Sequence, residues 1–172
     1  VTITRDRDGR PIGYRGVMRD ITLRKEFEDR LAHQAFHDPL TGLANRALFL
    51  NRLEHVLVRS RSNRSVNAVL FLDLDLFKVV NDRYGHTVGD ELLRAVAVRM
   101  RECVRAGDTV SRLGGDEFTI LLEDLEGVQD AVRVAEDIIR LVTDPFRIDG
   151  RDIRVTTSIG IATSGAGETR GE

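Results

Sequence analysis

The sequence predicts an α/β sandwich in which helices pack on a mostly antiparallel sheet. Helix-like and strand-like periodicities alternate along residues 46–163. A strand that is apolar on both faces sits early in that stretch, and two glycine turns, Gly114-Gly115 and Asp149-Gly150, join neighbouring strands. With 172 residues the chain has length for one sizeable domain and a short appendage.

Residues 1–21 read as two short strands around a turn at Asp8-Gly9-Arg10-Pro11. Two strands are marginal alone, so they are expected to belong to a domain that begins upstream. Residues 22–37 carry a helical stripe, Leu23, Phe27, Leu31 and Ala35, with Thr22 able to cap its start. The stripe fits either a linker helix lying on its neighbour or a short coiled coil between two chains. Pro39 and Gly42 then break the helix within "HDPLTGLANR", and Asn45 can cap the next one. That helix is expected over 46–58, with Phe49, Leu50, Leu53, Val56 and Leu57 inward.

The buried strand follows at 67–74, expected to be covered by helices on both faces. Residues 89–104 repeat as an amphipathic helix with Leu92, Leu93, Val96, Met100 and Cys103 on one side. Asp108 to Glu123 reads as strand, tight turn at Gly114-Gly115, strand. A helix at 127–142 is marked by Val128, Ala131, Val132, Ala135, Ile138 and Ile139. The last element is a hairpin turning at Asp149-Gly150, whose second strand alternates through Ile153, Val155, Thr157, Ile159 and Ile161. Residues 164–172 are polar and Gly-rich and are expected to be disordered.

Charged residues make up 31% of the chain, yet the net charge is −2 with both signs interspersed, which argues against a nucleic-acid partner. The single cysteine, Cys103, excludes an internal disulfide and fits a reducing cytosol. No apolar run approaches the ~20 residues that span a bilayer. A cytoplasmic location is expected, with membrane attachment of the full-length protein left open. The chain opens at Val1 in what reads as mid-strand, so it is expected to be a piece of something longer.

Two acidic clusters stand out. Asp73 and Asp75 end the buried strand, and strand alternation aims both to one side. Asp116 and Glu117 adjoin the Gly114-Gly115 turn. Like charges held together are costly unless something positive is near. If the hairpin strand pairs with the first strand, the clusters meet. Hard oxygens around a gap with open positions then describe a Mg²⁺ site shared with phosphates. The competing reading makes Asp73 or Asp75 a helix cap and Asp116-Glu117 a solvated turn. Between the clusters, Asn81, His86 and Asp90 surround glycines. Asp and Asn side chains suit the edge of a guanine, whereas Asp90 could equally cap a helix and His86 serve packing. Lys78 is a surface lysine or a cation that reaches a phosphate. Arg105 and Asp108 alone would be an exposed ion pair worth under ~1 kcal/mol.

"HDPLTGLANR", "DLDLFKVVNDRYGHTVGDELL", "SRLGGDEF" and "TTSIGIA" occur in that order. Together they resemble the GGDEF family of diguanylate cyclases, over about residues 37–163. The N-terminal "DGRPIGYRGVMRDIT" resembles the end of a PAS sensor domain. The resemblance implies a nucleotidyl-cyclase-like palm. It divides the chain into a PAS remnant at 1–21, a signalling helix at 22–37, a GGDEF domain at 38–163 and a tail at 164–172. It implies a Mg²⁺-dependent (or Mn²⁺-dependent) nucleotidyltransferase that condenses two GTP into cyclic di-GMP, with release of pyrophosphate, in a homodimer governed by an upstream sensor.

By the same resemblance Asp73, the Leu74 carbonyl, Asp116 and Glu117 would hold the metal, with Asp116 as candidate proton acceptor. Lys78 would stabilise phosphate charge. Gly114 and Gly115 would admit the phosphates, and Asn81, His86 and Asp90 would hold guanosine. Arg105 and Asp108 match the family's product-inhibition site. The family continues past "SIGIA" with a helix like "ALYxAKxxGRN" and a final strand. Neither is found here, so weakened GTP binding is expected of this chain. The alternative is a non-catalytic receptor for GTP or cyclic di-GMP.

Overall fold

The computed structural model describes residues 2–15, 20–22, 35–63 and 65–164. The chain forms two compact units, Val1–His33 and Gln34–Glu172. In the first, β1 (Thr2–Arg5) pairs antiparallel with β2 (Pro11–Arg15), as the turn residues predict. Asp6 shapes the connection: its Oδ1 accepts the amides of Asp8 at 3.0 Å and Arg10 at 2.8 Å. The helix expected at 22–37, its coiled-coil alternative and the tail beyond Ser164 lie almost wholly outside the described residues.

The second unit runs α1 (Arg46–Asn63), β3 (Val66–Asp75), α2 (Phe77–Tyr84), α3 (His86–Glu102), β4 (Thr109–Gly114), β5 (Glu117–Leu125), α4 (Val128–Thr143), β6 (Phe146–Ile148), β7 (Arg151–Ile153) and β8 (Thr156–Ser164). Its central sheet has the order β4-β5-β3-β8, and every neighbour is antiparallel. One face carries the main core. Leu70, Leu72, Leu74, Phe118, Ile120 and Leu122 meet Leu92, Val96 and Met100 of α3 and Ala135, Ile138 and Val142 of α4. These helices are amphipathic at a 3.6-residue period, which is why they lie flat on a sheet alternating at two.

Several expectations need correction. The helix expected at 46–58 continues to Asn63, and it packs through Phe49 and Val56 against Leu121 while Leu50 and Leu57 stay exposed. Arg59 holds the extension, reaching Glu123 at 2.6 Å and Asp124 at 3.1 Å. The second face of β3 is not closed, since Phe71 remains 51% exposed. Residues 77–84 form a helix that the polar run there did not mark, and α3 starts at His86 rather than 89. Val128 and Ile139 of α4 are exposed. The final hairpin is short: β7 stops at Ile153, and β8 is a separate strand that leaves β6 to pair with β3 along Asn67–Asp75. An unbroken alternation hid that change of partner.

Three local devices fix the frame. Asn45 caps α1 as expected, its Oδ1 accepting the Leu48 amide at 3.1 Å. The "HDPLTGLANR" segment covers the edge strand, with a parallel bridge between Ala44 and Ser111 and the Arg112 amide donating to the Ala44 carbonyl at 2.9 Å. Arg99 of α3 closes the far end of α4. Its guanidinium donates to the carbonyls of Leu141, Asp144 and Pro145 at 2.5–2.7 Å and lies 3.6 Å over the Phe146 ring. Among the described residues no helix is long and apolar enough to cross a membrane.

Replacing Arg99 by Ala should cost about 2 kcal/mol, because charge-assisted bonds to helix-end carbonyls are lost together; urea denaturation measures it. Ser111 and Thr119 oppose each other across β4 and β5, are fully buried, and have hydroxyls without a hydrogen-bond partner among the described residues. Thr119→Val should therefore hold stability or raise it by about 1 kcal/mol in the same assay.

Candidate functional site

The β3–β5 register sets Asp73 opposite Glu117, so the two acidic clusters meet. Facing residues of paired strands point to one side of the sheet. Leu70, Leu72 and Leu74 face the main core, so Asp73 and Glu117 emerge on the other face, where Phe71 is also exposed. Partial desolvation lifts the Asp73 carboxyl above the ordinary carboxylate value, and the negative charges of Asp116, Glu117 and Asp75 lift it further. These charges are close enough to oppose the ionisation of Asp73.

Asp75 plays a different part. Its carboxylate accepts the Thr156 hydroxyl at 2.5 Å and the Ser158 hydroxyl at 2.8 Å, and these bonds hold its pKa below the ordinary carboxylate range. It ties the end of β3 to the start of β8. Neither Asp73 nor Asp75 caps the following helix: the residue there is Leu76, and no side chain bonds its amides. Leu76 adopts φ 60°, an uncommon conformation for a bulky residue, and is 75% exposed. The Leu74 side chain is buried, so it has only its backbone to offer a ligand.

Gly114 and Glu117 are register partners, so the turn proper is Gly115-Asp116, one residue later than expected. Gly114 has φ 151° and Gly115 φ 53°, and a Cβ on either would meet open space within 4 Å. Glycine is needed here for backbone conformation and for access, since a side chain would stand over the turn. Arg112 fixes the turn from below. Its Nε and Nη2 donate to the Gly115 carbonyl at 2.9 and 2.7 Å, and its Nη1 meets both oxygens of Asp38 at 3.0 and 3.1 Å. Burial alone would raise the Asp38 carboxyl. The Thr41 hydroxyl and amide, then Arg112, outweigh it and hold the group low. Neither Arg112 nor Asp38 was marked by the sequence, because 74 residues separate them.

Lys78 stands exposed on the first turn of α2, and Asn81 is half-buried on the same helix. His86 and Asp90 are exposed on the first turns of α3; Asp90 is inside that helix and does not cap it. The structure thus brings Asp73, Asp116 and Glu117 together, with Lys78 and Asn81 on the helix that β3 leads into. The Arg105–Asp108 turn lies at the other end of β4, about 20 Å away at ~3.4 Å per strand residue. Asp108 accepts the backbone amides of Arg105 at 2.9 Å and Glu123 at 3.1 Å. It makes no ion pair with the Arg105 guanidinium. Arg52, Arg101, Arg105 and Asp108 line a depression of about 330 Å³ there. A second cavity, of about 510 Å³, touches Asp75, Val79 and Tyr84 but none of Asp73, Asn81 or Asp116.

Among the described residues no three carboxylate, imidazole or thiol groups form a ready cation cage. The acidic face nevertheless fits a hard divalent cation. Its donors are oxygens, its charge is one-sided, and two or three protein oxygens leave positions for phosphate and water.

The sequence pattern of the diguanylate cyclase GGDEF domain matches residues 35–172, and the chain belongs to that family. The diguanylate cyclase TpbB of Pseudomonas aeruginosa is 48% identical over 133 residues, covering 77% of this chain and 31% of that protein. The solved GGDEF domain of TpbB gives a TM-score of 0.72 at 46% identity and covers 74% of each chain. The coiled coil and GGDEF domain of DgcB from Caulobacter crescentus, solved in complex with c-di-GMP, gives a TM-score of 0.76 at 25% identity, covering 84% of this chain and 77% of that one. The chain spans about a third or less of the length of the curated relatives it matches.

Asp73→Asn should raise the thermal midpoint at neutral pH. A carboxyl raised in the folded state lowers stability as pH climbs past 3.8 and through the folded value, so the gain should vanish in melts run near pH 3, about where both states are protonated. Arg112→Ala should cost about 3 kcal/mol, because it strands Asp38 in a pair whose side chains are only 11% and 15% exposed. Chemical denaturation reports the loss.

Proposed function

We propose that this chain is the catalytic domain of a diguanylate cyclase, which condenses two GTP molecules into cyclic di-GMP and releases two pyrophosphates. The observation that carries the reading is the convergence of Asp73 with Asp116 and Glu117 beside a glycine turn. A fold that needed only a turn would not hold Asp73 where two neighbouring carboxylates oppose its ionisation. A divalent cation and a polyphosphate give them a purpose.

In this reading Asp73, the Leu74 carbonyl, Asp116 and Glu117 hold Mg²⁺ or Mn²⁺. When bound, the ion lowers the pKa of the attacking hydroxyl and neutralises phosphate charge. Gly114 and Gly115 leave the turn bare for the phosphates, and Lys78 adds a positive charge beside them. Asn81, His86 and Asp90 hold the guanosine, the carboxylate accepting from the base N1–H and amine. The 3′-hydroxyl of one nucleotide attacks the α-phosphorus of the other. Its proton passes to Asp116, and the bond to the β-phosphate breaks to release pyrophosphate. Two such events close the ring. One domain can orient only half of this reaction, so two copies must face each other, replacing a collision with an oriented encounter worth up to ~7–11 kcal/mol. Residues 22–37 then serve as the signalling helix and residues 1–21 as the end of a sensor. GTP supply fits a cytoplasmic setting.

Arg105 and Asp108 are assigned to product inhibition. The separation of their loop from the acidic cluster supports a regulatory role over a catalytic one. Asp108 spends its oxygens shaping the loop, leaving Arg105 to reach an anion.

The test is to supply the chain, extended at both ends, with GTP and Mg²⁺ and to look for cyclic di-GMP. Asp116→Ala should abolish turnover without lowering the melt, and retained turnover would remove its role. Arg105→Ala should relieve inhibition by added cyclic di-GMP; an unchanged inhibition curve would refute the regulatory assignment.

A further inference from the structure

Gly89 is buried in α3, three residues after the helix starts at His86. Its φ lies outside the left-handed region, so its backbone asks for no glycine. Inside a helix, glycine costs about 1 kcal/mol relative to alanine. What the position requires is space. A Cβ built there would stand 1.9 Å from Asn81 Oδ1, 3.0 Å from Asn81 Cγ and 3.3 Å from Phe77 Cζ. The carboxamide of Asn81 therefore crosses from α2 and rests on the bare backbone of α3, one residue before Asp90.

We infer that Gly89 is a positioning residue for base recognition: by lacking a side chain it seats the Asn81 carboxamide next to Asp90, and so sets which purine the site accepts. The inference rests on the reading that Asn81 and Asp90 hold guanosine. A carboxamide both donates and accepts, whereas a carboxylate only accepts. Placed together they can read a purine edge that offers both donors and an acceptor, which guanine does and hypoxanthine, without its amine, does less fully. A methyl at 89 must push the carboxamide oxygen out by about 1.5 Å or more to reach an ordinary contact. A displacement of that size in a positioned group can cost ~10²-fold.

The probes are 3′-deoxy-GTP and 3′-deoxy-ITP with Mg²⁺, which lack the attacking hydroxyl and so report binding alone. Titration calorimetry compares the parent chain, Gly89→Ala, Asn81→Ala and the double variant. Gly89→Ala is expected to weaken 3′-deoxy-GTP by about 10–100-fold and to shrink its advantage over 3′-deoxy-ITP. The double variant should bind no worse than Asn81→Ala, since the group that the methyl displaces is gone. Parent-like binding and preference in Gly89→Ala would overturn the inference. So would an equal further loss in the double variant, which would assign Gly89 to packing against Phe77. If Asn81→Ala binds like the parent, the base-holding reading falls and takes this inference with it. If Asn81→Ala is weakened and Gly89→Ala is not, only the inference falls. Should Gly89→Ala alone fail to fold, Asn81→Ser with Gly89→Ala replaces it, because the shorter hydroxyl clears the methyl. Folding with the preference for 3′-deoxy-GTP reduced to that of Asn81→Ala supports the inference; a preference kept at the parent's level, or failure to fold, overturns it.

Discussion

Electrostatic repulsion at the junction of β3 and β5 is the constraint around which this domain is arranged. Pairing Asp73 with Glu117 follows from a register that also buries Leu70, Leu72, Ile120 and Phe118. A slip of one residue would separate the acids, but it would turn that whole apolar set to the opposite face. The core therefore enforces a contact that the charges resist. The neighbouring acids are quieted by local partners, Asp75 by Thr156 and Ser158, and Asp38 by Arg112 and Thr41. The remaining negative charge is concentrated on Asp73, Asp116 and Glu117, where a bound cation would relieve it.

Strand β4 links the two assigned regions. The Gly115-Asp116 turn follows one end and the Arg105–Asp108 turn precedes the other. Along its length it is paired on one side with β5 and bridged on the other through Ala44. Arg112 sits on this strand and holds both the Gly115 carbonyl and Asp38. A change in the segment at 37–45 thus has a direct mechanical route to the glycine turn. That segment directly follows residues 22–37, the stretch proposed as a signalling helix.

The acidic convergence was legible because it depends only on alternation and on one strand pairing. Asp73 and Asp75 had to share a face, and the clusters were expected to meet if the Glu117 strand paired with β3, as it does. The helices α3 and α4 were legible for a similar reason, their apolar residues repeating where the sheet would meet them. What stayed hidden is non-local. Arg112 and Asp38 form one unit across 74 residues, and neither position has a local signature beyond its charge. Ile153 to Ile161 alternate without a break, so nothing within the run shows that Ile153 belongs to β7 and Thr157 to β8; the partner strands decide it. Leu50 and Leu57 fit the helical stripe of α1, yet the apolar contact of that helix with the sheet runs through Phe49, Leu53 and Val56. Periodicity says which residues could face a core, and the width of the contact says how many do.

Helix α2 shows how the site draws on the core for its precision. At eight residues it is too short to be stable by itself, and it starts from a strained Leu76. Two buried residues, Phe77 and Val80, hold it to the core, and the Asn81 carboxamide settles against Gly89. Lys78 and Asn81 are therefore aimed by packing rather than by helix propensity. In the proposed reading, a contact that looks like simple helix-to-helix fit is also the contact that orients a base-reading group. Stability of this corner and selectivity of the site are two consequences of one interface, and a substitution there cannot change the second while leaving the first untouched unless it removes the carboxamide itself.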